Sequence, residues 1–285
     1  MRVSFIWQRL RAIWLAIRRG RLASAPSRLD RLPRPRAVYI GNNEAIACLN
    51  SGLRLYVDTR DVGIASHLMT VGDWEPWIRR VLMGLVKPGM RVLDIGANFG
   101  FYTLLMARAV GQKGEVFAIE ANPHLLDLLK RSISINGLGH RIRLIEKAAC
   151  DRNARLGFSY DVQWSGGGRL SEAPSIAANV VTIDVDAMPL DSLIKGPVDV
   201  IKIDIEGGEE LAFRGMKRLI DSSPSLAIVM EYSKSAFQDP SGFWTGFHGK
   251  GFKFRLMEPS GLSGYLSPSE VLAIEEDTRY LLLER

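Results

Sequence analysis

The stretch Val92–Thr103, VLDIGANFGFYT, decides the fold. An apolar run leads into Asp94, a loop carrying Gly96 and Gly100 follows, and an amphipathic run begins at Phe101. That is the pattern of a strand turning into a helix. Glycines there let the backbone turn and come close to a ligand, and in open parallel sheets ligands sit beyond the carboxyl ends of the strands. A dinucleotide fingerprint needs G-x-G-x-x-G, whereas the spacing here is G-x-x-x-G. An aspartate at position 94 would repel a pyrophosphate and attract an ammonium group. Glu120, at the end of the next strand, is the right distance on to hydrogen-bond ribose hydroxyls. The expected ligand therefore carries a ribose and a positive charge and needs no phosphate. S-adenosylmethionine meets that description.

Outward from this point, short apolar strands alternate with helical stretches: RVLDIG, GEVFAIE, IRLIEKAA, DVIKIDI, LAIVMEY, FKFRLME and RYLLLER. Repeated βα units predict a doubly wound α/β sheet with helices on both faces. No convincing helix separates the last two strands, which predicts an antiparallel hairpin at the sheet edge. Between the third and fourth strands lies an insertion, residues 154–185, in which two strand-like pieces flank a loop rich in Gly and Ser. Such a loop covers a site or is merely mobile. Upstream, residues 37–72 predict a small antiparallel β region.

At 285 residues, with 47% hydrophobic and 24% charged content, the chain suits one large domain or a domain plus an appendage. No apolar run reaches the roughly 18 residues of a membrane span. Cys48 and Cys150 provide neither a disulfide framework nor metal spacing, and the four histidines are scattered. The net charge of +6 is concentrated in the first 36 residues, which carry ten arginines and one aspartate. Val3, Ile6, Trp7, Leu10, Ile13, Trp14 and Ile17 recur at helical spacing, with the arginines mostly off that stripe. Residues 1–19 are expected to form a basic amphipathic helix that lies on an anionic membrane surface or packs on the domain or a second subunit. Arginines interrupt any apolar core a signal peptide would need, so a cytoplasmic protein is expected, in contact at most with the inner face of the membrane. A linker follows to residue 36, and the main domain is expected over residues 73–285.

The second informative stretch is Asp199–Glu210, DVIKIDIEGGEE. A central parallel strand should be apolar on both faces, but by period two Lys202, Asp204 and Glu206 share one side, opposite Ile201, Ile203 and Ile205. Buried charges are costly unless paired or used. One reading is a structural ion pair between Lys202 and Asp204. The other places Asp204 and Glu206 in the ligand crevice as a base for an alcohol, which is a poor nucleophile while protonated. Asp204 is the first candidate and Glu206 the second, with Lys202 beside them as a third catalytic candidate; no ligand set compels a metal ion. Glu210 suits the first turn of the next helix as a dipole-favourable charge.

VLDIGANFGFYT, VFAIEANP, DVIKIDIEGGEELAFRGM and the upstream WEP together resemble the FkbM family of S-adenosylmethionine-dependent methyltransferases, over about Asp73–Tyr232. The resemblance implies a class I methyltransferase (Rossmann-like) fold, a seven-stranded sheet whose last strand is antiparallel. It implies cofactor contacts at Asp94, Gly96, Ala97, Asn98 and Gly100, with Asp94 near the methionine amine, Glu120 on the ribose, and Asn122 and Ala148 near the adenosine. Glu209 belongs to the family-like E-G-x-E pattern. Glu75 and Tyr102 are candidates for the cofactor or acceptor pocket, although helix packing also explains them. The family is associated with methylation of hydroxyl groups on sugars and polyketide-like molecules. The turn Glu206-Gly207-Gly208-Glu209 replaces the Pro-Pro-aromatic turn common in amine methylation. The expected activity is therefore O-methylation of a small-molecule or glycan hydroxyl. Methylation of nucleic acid or protein, or a non-catalytic cofactor-binding role, are the alternatives; no nucleic-acid-binding module accompanies the arginines. Trp164, Trp244 and Phe247 are candidates for stacking on a sugar.

Overall fold

The computed structural model describes residues 36–171, 179–275 and 278–285. The expected basic helix and its linker, apart from Arg36, lie outside the described residues. Residues 36–285 form one compact unit.

The unit begins with a three-stranded antiparallel sheet, β1 (Ala37–Gly41), β2 (Glu44–Cys48) and β3 (Arg54–Asp58). Alternate residues Ala45, Ala47, Leu55 and Val57 are buried in the same apolar cluster as Leu104, Leu125 and Leu129 of the main domain. Helices α1 (Ile64–Val71) and α2 (Pro76–Leu85) lead into β4 (Arg91–Ile95) and α3 (Phe101–Ala109). Then follow β5 (Glu115–Ile119), α4 (Pro123–Ile135), β6 (Ile142–Ile145) and β7 (Ala148–Ala149). The insertion supplies β8 (Ala154–Asp161), β9 (Trp164–Leu170) and β10 (Val180–Met188). After it come α5 (Leu190–Leu193), β11 (Val200–Ile203), α6 (Glu209–Arg214), α7 (Lys217–Asp221) and β12 (Ala227–Tyr232). The chain closes with α8 (Pro240–Gly249), β13 (Lys253–Glu258), β14 (Gly261–Leu262), α9 (Pro268–Leu272) and β15 (Arg279–Glu284).

The main sheet runs β14-β13-β15-β12-β11-β4-β5-β6. From β12 to β6 its pairs are parallel, and β15 is antiparallel to both neighbours. Seven of these strands are the ones read from the sequence; the eighth, β14, has two residues and caps the edge. The order reverses at β4, so the glycine loop after β4 stands at the switch point where such sheets bind ligands. Alternation along the strands splits the core in two. Val92, Val116 and Val200 face α2, α3 and α4, whereas Leu93, Phe117 and Ile201 face the helices after β10.

Two expectations are corrected. The last two long strands do pair antiparallel at the edge of the sheet, but β14 and α9 separate them in sequence, and β15 lies between β12 and β13. The glycine-rich part of the insertion is not a loop, while residues 172–178 lie outside the described residues. Residues 164–170 are strand β9, paired with β8 in a four-stranded sheet of order β7-β10-β8-β9. Its glycines are needed because a Cβ at Gly168 would stand 2.8 Å from the Phe158 ring.

Candidate active site

β11 is central, flanked by β4 and β12, and the pairing register lays polar residues in two rows on one face. In the first row Asp94 of β4 is level with Lys202 of β11. Lys202 is 3% exposed; its ammonium lies 3.2 Å from Asp204 Oδ2 and 3.9 Å from Asp94 Oδ1, and donates to the Gly96 carbonyl at 3.3 Å. Burial works against that charge, but Asp204, Asp94 and Glu75 outweigh it and hold the ammonium above its usual range. Asp94 is fully buried; burial raises its carboxyl, opposed by Lys202 and by the Thr103 hydroxyl that donates to Oδ2. Its Oδ1 has no hydrogen-bond partner.

The second row continues past the end of β11. The Asp204 N–H donates to the Ile95 carbonyl at 3.1 Å, which carries the ladder one residue on. Ile203 pairs with Met230, so Asp204 falls level with Glu231 of β12, and Glu231 is paired with Tyr280 of β15. The Tyr280 hydroxyl donates to Asp204 Oδ2 at 3.1 Å. Three adjacent strands thus contribute one acid, a second acid and a phenol to a single line. Glu206 joins them from a turn in which it adopts φ +53° and Gly207 φ +91°. Left-handed backbone is uncommon for a glutamate and concentrates at functional sites. One oxygen from each of Asp204, Glu206 and Glu231 lies within 4.8 Å of the others. Burial, with Asp204 and Glu209 nearby, pushes Glu206 up to about 7; burial, with Asp204 and Glu206 nearby, pushes Glu231 up to about 9.

Helices close over this face. Glu75 (φ +41°) precedes α2 and accepts from the Tyr102 hydroxyl of α3 at 3.0 Å. Burial and Asp204 raise the Glu75 carboxyl.

Two clefts meet at the strand ends. The first, about 620 Å³, runs from Gly96 and Asn98 past Glu120 to Asn122, Ala148 and Phe158. The second, about 760 Å³, is walled by Trp74, Trp164 and Tyr102 and reaches Lys202, Glu231 and Tyr280. Gly96, Asn98, Gly166, Asp204 and Glu206 belong to both. β9 roofs both clefts and is stitched down. Ser165 N–H donates to Asp61 Oδ2 at 2.7 Å, and the Asn98 amide donates to the Ser165 carbonyl at 3.0 Å. The Trp164 ring lies over Gly63, where a Cβ would come within 2.1 Å of it.

Glu120 is 7% exposed. Its Oε1 accepts from the N–H of Ala121 at 2.9 Å and of Asn122 at 2.8 Å, and its Oε2 from the N–H of Asn98 at 2.8 Å. These bonds oppose the rise that burial imposes on the carboxyl. A carboxylate has about four lone-pair sites, so one remains for a ligand hydroxyl. The Asn122 side chain accepts from His124 N–H and caps α4 while also lining the first cleft.

Most residues singled out in the sequence converge here: Gly96, Asn98, Glu120, Asn122 and Ala148 on the first cleft, Glu75, Ala97, Tyr102 and Lys202 on the second, and Asp204 and Glu206 between them. Asp94 and Gly100 line neither. Asp94 stands behind the wall and faces Lys202, so a direct contact with a methionine amine does not fit its burial. A Cβ at Gly100 would meet Leu129 at 2.4 Å, so that glycine serves helix packing. Glu209 is buried, and its Oε1 accepts from Ile205 N–H at 2.9 Å, bracing the turn. Glu210 accepts from Gln238 N–H at 2.6 Å. Trp244 and Phe247 are buried among aromatic neighbours and cannot stack on a sugar; Trp164 can. Glu231, Tyr280 and Trp74 were not singled out. Glu231 carried the signal already used for Lys202, an acid inside an apolar central strand.

A sequence profile described as the methyltransferase FkbM domain matches residues 94–256, more than half of the chain. The tRNA (adenine(58)-N(1))-methyltransferase TrmI of Thermus thermophilus is 37% identical over 81 residues, 27% of this chain and 32% of that protein. The protein-L-isoaspartate O-methyltransferase of Hyperthermus butylicus is 32% identical over 83 residues, 24% of this chain and 34% of that protein. The chain thus spans about a third of the length of these curated relatives. A crystal structure titled methyltransferase FkbM, from Methylobacillus flagellatus KT, superposes with a TM-score of 0.44 at 19% identity, covering 69% of this chain and 43% of that one.

Proposed function

The chain belongs to the FkbM family of methyltransferases, with S-adenosylmethionine as cofactor, and we propose that it methylates a hydroxyl oxygen of a sugar-like or polyketide-like acceptor held in the second cleft. The observation that carries this reading is the shared wall. Asp204 and Glu206 face both clefts at once, so a carboxylate stands between the place of the donor and the place of the acceptor.

The residues present fit the cofactor. The close approach of Gly96 to the Asp204 carbonyl leaves no room for a Cβ, so that glycine seats the loop on β11, and Gly96 and Asn98 of the loop line the first cleft. Glu120 keeps one lone-pair site for a ribose hydroxyl, and Ala148, Phe158 and Leu125 provide apolar surface for an adenine. The cofactor supplies an electrophilic methyl group on a positively charged sulfur, and the protein supplies position and a proton acceptor. In this reading Trp74 and Trp164 hold the apolar face of the acceptor, Lys202 and Tyr280 fix Asp204, and a carboxylate takes the hydroxyl proton.

The test is to incubate the protein with methyl-labelled cofactor and fractionated envelope and small-molecule extracts, then identify the labelled product. Asp204→Asn should bind cofactor within a few-fold of wild type and lose turnover by roughly 100-fold, the scale of a misplaced reacting group, because the carboxylate that organises the shared wall is gone. Label appearing on nitrogen in RNA or protein, or turnover of Asp204→Asn within a few-fold of wild type, refutes the proposal.

A further inference from the structure

Among the described residues, the one cation that bonds within the acid line is Lys202, and it is already taken. Lys202 donates to Asp204 and to the Gly96 carbonyl and also neighbours Asp94, while Tyr280 donates to the same Asp204 oxygen. Asp204 is therefore held in place with its charge compensated. Glu206 and Glu231 share the cluster within 4.8 Å, yet no hydrogen bond or ion pair joins either to another described residue. Two carboxyl groups this close, beside a third, cannot all ionise in a partly buried site, so they share protons. The second cleft reaches both, and Glu231 opens only into it.

We propose that Glu231 is a further catalytic residue: with Glu206 it holds a proton in the free protein, releases it when the cationic cofactor binds, and then takes the proton of the acceptor hydroxyl. This rests on the reading that the acceptor occupies the second cleft as an alcohol. The groups facing Glu231 and Glu206 are Asp204, Glu209 and Lys202 around β11, Tyr280 of β15, Glu75 and Tyr102 of the covering helices, Asp94 behind Lys202, and Arg169 of β9. Acids outnumber cations among them, so a positive charge entering the first cleft favours loss of a proton from the cluster. In the transfer the acceptor O–H bond breaks and its proton goes to a Glu231 carboxylate oxygen. The acceptor oxygen forms a bond to the methyl carbon, and the S–C electron pair stays on sulfur. The neutral thioether leaves the pair protonated, as in the free protein, so the proton of the overall reaction departs at cofactor binding. The raised positions of Glu206 and Glu231, about 7 and about 9, put that exchange in the neutral range.

The experiment is titration calorimetry of the full chain with S-adenosylmethionine and with S-adenosylhomocysteine, in two buffers of different ionisation enthalpy, from pH 6.5 to 9. Wild type should release up to one proton with the methyl donor and distinctly less with the thioether. Donor affinity should rise by up to tenfold per pH unit where release is complete. Glu231→Gln should cut the donor-specific release by half or more, as should Glu206→Gln, which serves if the first variant folds poorly. Comparison with the variants cancels titration of the ligands' own amino groups. Equal release in wild type and both folded variants overturns the proposal and leaves the methyltransferase reading intact. Donor-specific release lost in Glu231→Gln, with label found on nitrogen, supports the proton exchange but refutes the alcohol acceptor and the final proton step.

Discussion

Replacing three glycines by alanine separates backbone conformation from crowding. Gly89, Gly100 and Gly96 all have φ between +83° and +95°, so alanine at each suffers the left-handed penalty of about 1–2 kcal/mol. At Gly89 nothing lies within 4 Å of the new Cβ, and that penalty is the whole effect. At Gly100 the Cβ meets Leu129 Cδ1 at 2.4 Å, the end of a side chain that can rotate for about 1 kcal/mol more. At Gly96 it meets the Asp204 carbonyl oxygen at 2.0 Å and Ile205 at 3.0 Å. Backbone must move by more than 1 Å to restore contact distance, which adds about 1–3 kcal/mol. The expected losses are about 1–2, 2–3 and 2–5 kcal/mol, or Tm decreases of about 4, 8 and 10 °C for a unit of this size. Urea unfolding gives the order, and calorimetry with cofactor gives a second readout: only Gly96→Ala displaces Asp204, so only it should weaken binding more than tenfold while still folded. If Gly96→Ala is no less stable than Gly89→Ala, or Gly100→Ala impairs binding equally, the close packing of the loop on β11 is wrong.

Two further substitutions probe the charges. Lys202→Met leaves Asp94 and Asp204 without their cation and should cost about 3–5 kcal/mol of stability at pH 7; an unchanged urea midpoint would mean that the ammonium is not their counter-charge. Glu120→Gln places amide hydrogens against backbone N–H donors and removes the charged acceptor. Cofactor affinity should fall about 10- to 100-fold, the worth of a charged hydrogen bond of about 1.5–3 kcal/mol, and a change under threefold would place the ribose elsewhere.

The cofactor half of the site was legible because it is local. Gly96 and Asn98 sit in one short loop and Glu120 follows at the end of the next strand, so period and spacing place all three on the first cleft, although the same motif also offered Asp94 and Gly100, which line neither cleft. The acceptor half is built by register between strands far apart in sequence. Glu231 joins Asp204 only because Ile203 pairs with Met230, and Tyr280 joins because β15 slots beside β12. No spacing announces that β15 is internal. Glycine content argued for a loop over residues 165–168, but the Phe158 and Trp164 rings fill the space that side chains would have taken. Trp244 looked like a binding aromatic because composition cannot tell a fully buried indole from one facing a cleft.

The strand over the two clefts comes from an inserted sheet, while Gly96, Asn98 and Glu120 at the first cleft follow strands of the parallel core. Asp61 accepts from Gly63 and Ala65 with one oxygen and from Ser165 with the other, and so pins that inserted sheet to the N-terminal segment. A change at Trp164, which lines the second cleft alone, can therefore reshape that cleft while the first is inherited untouched, whereas a change at Phe158 alters the first. That division lets a lineage try new substrates at little risk, provided the aspartate tether survives.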